Sequence, residues 1–192
     1  MRIDQKLNFV FPIDTPNNGV AYVYSMPISR SVFETYYSVL GKVFTKCFDS
    51  QDAKHIALTA PQVAYPALKA AAIADGNWDS AGGVHSGLVN EIIRLTTIMF
   101  VGAAGWETIP MEQATKRGII DEDIEAEVLS VLCFFTSITK VAPKSLASTF
   151  LEMAGSLRNW QFTSLGCTVF MNSLPTSTEE KNTTQNLSQV IS

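Results

Sequence analysis

Histidine and cysteine are scarce in this chain: two histidines and three cysteines in 192 residues. Cys47, Cys133 and Cys167 have no metal-ligand spacing and two of them lie within apolar runs, so reduced, buried thiols in a cytoplasm are the simplest account. A structural zinc wants four good donors, and no His/Cys/Asp/Glu set offers them. His55 and His85 stand alone. His85 falls beside Asp79 and Ser86, but neither a nucleophile elbow nor an oxyanion loop accompanies that trio. A surface histidine is the expectation.

Clustered basic charge is missing too. The net charge is −4 and no run of Lys or Arg is present to neutralise several phosphates at once, which argues against a nucleic-acid surface. The densest block of one sign is acidic, Asp121, Glu122, Asp123, Glu125 and Glu127. It lacks the alternating ligand loop and central glycine of a calcium site, and a helix dipole accounts for it. No stretch of about 18 apolar residues occurs, the best candidates being broken by Arg94, Gly102 or Thr136, so no membrane span is expected. Asp4 and Pro12 interrupt what a signal peptide would need as its apolar core, and the expectation is a soluble intracellular protein. The glycine-rich stretch 76–87 has neither the Lys-Ser/Thr of a Walker loop nor spaced glycines after a strand. On these grounds no catalytic residue, metal or cofactor is expected.

What the chain does have is apolar content, 46% of residues, enough to bury the core of one domain. The stretch DEDIEAEVLSVLCFFTSITK, 121–140, carries the strongest signal. Ile124, Val128, Val131, Phe135 and Ile138 recur at helical spacing, and Leu129, Leu132, Cys133 and Phe134 make its second half apolar nearly all round. Asp121 is placed to cap it, the acids sit at the positive end of the dipole, and Lys140 and Pro143 mark its end. This helix belongs in a core.

LNFVF, 7–11, and GVAYVYSM, 19–26, flank the turn-forming IDTPNNG and predict a β-hairpin. Ser31 and Glu34 suggest a capping box for a first helix from about Val32 to Phe48, with Phe33, Tyr36, Tyr37, Leu40, Val43, Phe44 and Phe48 at helical spacing. Residues 49–54 read as a polar connection. PALKAAAIAD, 66–75, predicts an alanine-rich helix whose small side chains permit close approach by another helix. Leu88–Val101 predicts a second apolar helix, with Leu88, Ile92, Leu95 and Met99 inward and Glu91 and Arg94 outward. GWETIPMEQATKRG then reads as a loop and short helix, 144–157 as an amphipathic helix through Leu146, Phe150, Met153 and Leu157, and 159–174 as an apolar segment of open type. From Pro175 the chain is Ser, Thr, Asn, Gln and Glu without an aromatic, which predicts a flexible polar tail, 175–192. The fold class expected is mainly α, a single-domain helical bundle over 1–174 with an N-terminal hairpin at about 6–27.

Trp78, Trp106 and Trp160 lie near glycines or helix ends and read as anchors of loops on the core. A tryptophan so placed also serves as a binding hot spot, and Trp106 is the candidate. Tyr36 and Tyr37 read either as core or as interface residues. These three aromatics are the partner-binding candidates.

The run FTSLGCTVFMNSLPTSTEE, 162–180, together with FFTSI at 134–138, GWETIPMEQA upstream of it and the helix start Pro27–Arg30, resembles the tail assembly chaperones of long-tailed bacteriophages over most of the chain. The resemblance implies a mainly helical, non-enzymatic protein of the host cell cytoplasm. It implies binding to the tape measure protein, recruitment of tail tube protein, self-association, and absence from the finished virion. Such chaperones often occur in two lengths through ribosomal frameshifting, and Glu180-Lys181-Asn182 is compatible with a slippery heptamer in the message. Two rivals stand beside this reading: a structural virion component, such as a head-tail connector or tail completion protein, and a small-molecule enzyme using the 76–87 loop.

Overall fold

The acids at Asp121 open a helix that the rest of the molecule wraps. In the computed structural model, which describes residues 8–49 and 53–174 apart from the side chains of 53–55, Asp121 is extended and its Oδ1 accepts from the Ile124 N–H at 2.8 Å. That contact satisfies one of the orphan donors of the helix start. The helix it caps spans Glu122–Val141, and every residue from Val128 to Ile138 is buried.

Its partners are three further helices and a sheet. A long hairpin of helices, Arg30–Cys47 (α1) and Ala53–Ala74 (α2), packs on it, and Lys144–Arg158 (α6) follows it past the Pro143 break. In this numbering the short helices Asn90–Arg94 and Met111–Lys116 are α3 and α4, the central helix is α5, and Cys167–Met171 is α7. The strands are Asn8–Thr15 (β1), Gly19–Ser25 (β2), Thr96–Gly102 (β3), Gly105–Pro110 (β4) and Gln161–Thr163 (β5), ordered β4-β3-β2-β1-β5 and antiparallel throughout. Register sets Phe11, Val23, Ile98 and Ile109 side by side, because Phe11 faces Val23, Val23 faces Ile98, and Ile98 faces Ile109. These side chains, with Phe9 and Phe100, belong to the same core as the helices, and Phe9 stacks on Phe135 of α5 at 4.5 Å. Side chains alternate across a strand, so the other face of the sheet carries Val10, Tyr24 and Met99. Phe170 of α7 covers them.

This architecture is α+β and corrects the expectation of a helical bundle with a hairpin. The hairpin is real, but its two strands lie inside a five-stranded sheet. The expected helix over Leu88–Val101 is three pieces: a π-helical turn Val84–Val89, α3, and strand β3. The strand is buried on both faces at Ile98, Met99 and Phe100, so the apolar run Ile98–Val101 continues the helical spacing of Leu88, Ile92 and Leu95 as readily as it makes a strand. The expected loop at GWETIP is strand β4, joined to β3 by a turn in which Gly105 takes φ 120°. The 159–174 segment divides into β5 and α7. Helix α1 is capped by Ser29, whose Oγ accepts from the Val32 N–H, and not by a Ser31–Glu34 box, since Glu34 pairs with Arg30 at 2.7 Å instead. In α6 the buried face is Ala147, Phe150, Leu151 and Ala154; Leu157, expected inside, is exposed. The predicted polar tail and the residues proposed for frameshifting lie outside the described residues, as do the first two positions of the expected hairpin.

Helix α2 begins well before the predicted Pro66 and contains Pro61 and Pro66. A proline has no N–H, so Pro66 leaves the Gln62 carbonyl without its helical donor. Ser130 of α5 repairs this: its hydroxyl donates to the Gln62 carbonyl at 2.8 Å and accepts the Tyr65 N–H at 3.1 Å. Ser137, two turns further along α5, donates to the Leu40 carbonyl of α1 at 3.2 Å. Ser130→Ala strands the Gln62 carbonyl and the Tyr65 N–H and should cost about 1–3 kcal/mol, a fall in Tm of roughly 2–12 °C. A thermal melt indistinguishable from wild type would show that the serine does not hold α2 together.

Candidate interaction surfaces

Tyr36 and Tyr37 are neighbours in α1 with opposite fates. Tyr36 sits at a kink, φ −109° and ψ 15°, and its hydroxyl donates to the Gly82 carbonyl at 2.9 Å, with Gly83 O at 3.3 Å. Its ring fills the space a side chain at Gly87 would need, the hydroxyl lying 1.6 Å from that Cβ position. Tyr36 therefore ties the glycine-rich stretch to α1. Tyr37 is 58% exposed, and its ring makes an edge contact with Phe33 at 5.6 Å.

One turn on from Tyr37 the helix carries Gly41, and around it lies an open groove of about 710 Å³ lined by Tyr37, Phe44, Thr45 and Val141 with Lys42 and Lys46 at its rim. The wall opposite Tyr37 is preorganised. Phe44 stacks on Phe48 at 4.5 Å, and Phe48 is held in turn by an edge contact with Phe150 of α6 at 4.7 Å. Lys42 Nζ is fixed against the Asp75 carboxylate at 2.6 and 2.7 Å, bridging the groove to the end of α2, while Lys46 reaches Asp49 at 3.9 Å. These exposed pairs orient the rim and add little to stability. A Cβ on Gly41 would meet nothing within 4 Å. Glycine inside a helix costs roughly 0.5–1 kcal/mol relative to alanine, and no contact within the fold requires it here.

Trp106, the third predicted aromatic, is on β4 and half-buried on the outer face of the sheet, where its ring lies 5.7 Å from that of Tyr22. The structure thus does not bring the three candidates together: Tyr36 is an internal tie, Tyr37 opens onto the α1 groove, and Trp106 belongs to the opposite layer. Trp78 and Trp160 are buried, and both anchor connections as expected. His85 stacks on Trp78 at 5.0 Å with its ring half exposed and Nδ1 3.4 Å from Asp79. Ser86 donates to the Ser80 carbonyl at 3.3 Å and not to His85, so no nucleophile and base are paired. Among the described residues no group of three or more His, Cys, Asp or Glu is placed to hold a metal ion, and no helix is long and apolar enough to cross a membrane.

The thiols are held in their protonated form. Burial pushes Cys47 up to about 12 and raises Cys133 as well, and the half-buried Cys167, the first residue of α7, is also raised by burial. An unfolded thiol ionises near 9.0, so the Cys47 contribution to stability is complete below that pH and is lost as pH rises toward 12.

Scans against protein-family models, curated proteins and solved structures each return no match to this chain.

Two measurements check this description. Gly41→Ala should raise Tm by about 1–4 °C, the gain in helix propensity with no clash to offset it; a fall would mean that the groove is closed by contacts in the folded protein. Native protein treated with iodoacetamide near pH 8 should be modified at Cys167 first, with Cys47 and Cys133 reacting only after unfolding. Prompt labelling of Cys133 would contradict the burial of α5.

Proposed function

We propose that this protein is a non-enzymatic protein-binding module whose groove at Tyr37, Gly41 and Phe44 receives an apolar side chain of a partner. More particularly, we propose a tail assembly chaperone of a long-tailed bacteriophage. It binds the tape measure protein in the host cell cytoplasm, helps recruit tail tube subunits through a frameshifted long form, and is not retained in the virion.

The observation that carries the binding reading is Gly41. The chain keeps a glycine at a helical position where alanine would stabilise the fold, beside an exposed tyrosine and against a braced phenylalanine wall. A notch with no internal occupant and a stability cost is accounted for by an external one. The aromatic character of the groove suits it, because tyrosine and phenylalanine supply large contact area at low entropic cost. The assignment to tail assembly rests on the resemblance of 162–180 and the motifs upstream of it.

Co-expression with the tape measure protein of the same phage tests both parts. The partner should stay soluble with wild-type protein, and Tyr37→Ala or Gly41→Leu should return it to the pellet while the variants keep a Tm near that of wild type. If the tape measure protein is equally soluble alone, or if this protein is recovered from purified virions at the stoichiometry of a structural component, the chaperone reading is wrong and the connector or completion-protein reading replaces it.

A further inference from the structure

Three glycines of the stretch 76–87 are shaped around one side chain, Tyr36. Gly82 takes φ 70°, open to glycine at no steric cost, and its carbonyl accepts the Tyr36 hydroxyl at 2.9 Å. Gly83 brings a second carbonyl to 3.3 Å of the same hydroxyl, and a Cβ on it would lie 2.6 Å from the Asn77 carbonyl oxygen. Gly87 leaves the space that the ring fills, since a Cβ there would lie 2.6 Å from Tyr36 Cζ. Gly87 belongs to the π-helical turn Val84–Val89, an element that is rare and that often marks a functional site.

On the other side of this contact α1 is bent. Tyr36 has φ −109° and ψ 15°, both roughly 50° from helical values, and residues 30–35 and 37–47 are two helical pieces that meet there. Helices kink at proline, at glycine and serine pairs, at π-bulges, or where a side chain enters the ladder. α1 has no proline, and its one glycine, Gly41, is more than a turn away. Thr35 hydrogen-bonds back to the Ser31 carbonyl at 3.0 Å, a contact that bends helices slightly. Thr45 makes the same bond to the Gly41 carbonyl, however, and the helix stays regular there. What sets Tyr36 apart is its tie to the glycines.

We propose that Tyr36 is a positioning residue for the α1 groove, an inference that rests on the binding reading given above. Through Gly82, Gly83 and Gly87 the glycine-rich stretch sets the bend in α1, and the bend sets the direction of Tyr37 over the groove. The link is Phe33. It lies in the first helical piece, packed against the core, and its ring meets the edge of Tyr37 in the second piece at 5.6 Å and 89°. That contact crosses the bend. With helical angles at Tyr36 the two pieces swing relative to one another, Phe33 stays with the core, and Tyr37 loses its brace. An exposed tyrosine without a brace samples several rotamers, and a partner must then order it on binding.

The test uses the full-length protein with meta-fluorotyrosine in place of Tyr37, alone and with Tyr36→Phe or Gly87→Ala. Tyr36→Phe keeps the ring and removes the tie, and because the Gly82 carbonyl is exposed, water takes up the lost bond and Tm should stay near that of wild type. Gly87→Ala evicts the ring. In both variants the fluorine NMR resonance of residue 37 should move toward its position in the urea-unfolded protein. Tape measure protein co-expressed with Tyr36→Phe should leave the soluble fraction to the extent seen with Tyr37→Ala. A merely structural tie would lower Tm and leave the resonance in place. An unmoved resonance in Tyr36→Phe overturns the proposal, as does a moved resonance with the partner fully retained where Tyr37→Ala loses it. If Tyr37→Ala itself retains the partner, the groove reading fails, and the resonance alone decides whether Tyr36 orients Tyr37.

Discussion

Burial of α5 is the constraint on which the other elements depend. Eleven consecutive residues, Val128 to Ile138, are out of water, which requires apolar surface on every side of the helix. The sheet supplies one side through Phe9 stacked on Phe135, and the α1–α2 hairpin supplies another. Two of the buried residues are serines, and each is hydrogen-bonded to a carbonyl of a neighbouring helix, Ser130 to Gln62 and Ser137 to Leu40. A buried hydroxyl without a partner would cost more than the bond it makes contributes. Those two contacts therefore fix the registry of α1 and α2 on α5 as well as satisfying it.

That registry has consequences at the surface. By holding α2 through its alanine face, α5 leaves the opposite stripe of Val63, Pro66, Ala70 and Ile73 in solvent. By holding α1 through Val39, Leu40, Val43 and Cys47, it leaves Tyr37 and Gly41 outward, with Phe44 and Phe48 braced against α6. Exposed apolar side chains lie on both layers: Tyr37, Leu58, Val63, Ile73 and Leu157 on the long helices, and Val20, Met26, Leu165 and Val169 on the strands, their connections and α7. On the sheet's outer face α7 lays Phe170 over Val10, Tyr24 and Met99.

The parts of the fold legible in the sequence are those with local signals. Asp121, the acids after it and Pro143 bracket α5 to within a residue or two, and the Pro16–Gly19 turn marks the β1–β2 hairpin. The sheet was hidden because its third strand is covered on both faces and so imitates a helix, and because β5 is only three residues long. The start of α2 was hidden for another reason. Its prolines read as breakers, and the serine that repairs the ladder comes from a helix more than sixty residues further on. Tyr36, Tyr37 and Trp106 can all be named from sequence as candidate interface aromatics, but of the three only Tyr37 is exposed, Trp106 is half-buried against Tyr22, and nothing local distinguishes Tyr36 as an internal tie to Gly82. Gly41 was missed although a glycine inside a helical pattern is itself a signal. The alanine-rich run predicts close approach by a neighbouring helix, and Leu68 and Ala72 within it are buried where α2 packs on α1 and α5.

We propose that α1 presents a surface the fold does not need and a partner does. Hydrogen–deuterium exchange of the protein alone and mixed with the tape measure protein tests it most directly, because amide protection reports where contact forms. Added protection confined to residues 33–46, with α5 already protected and unchanged, is the expected result. Protection appearing instead on the outer sheet face around Tyr22 and Trp106, or nowhere in the protein, would contradict it.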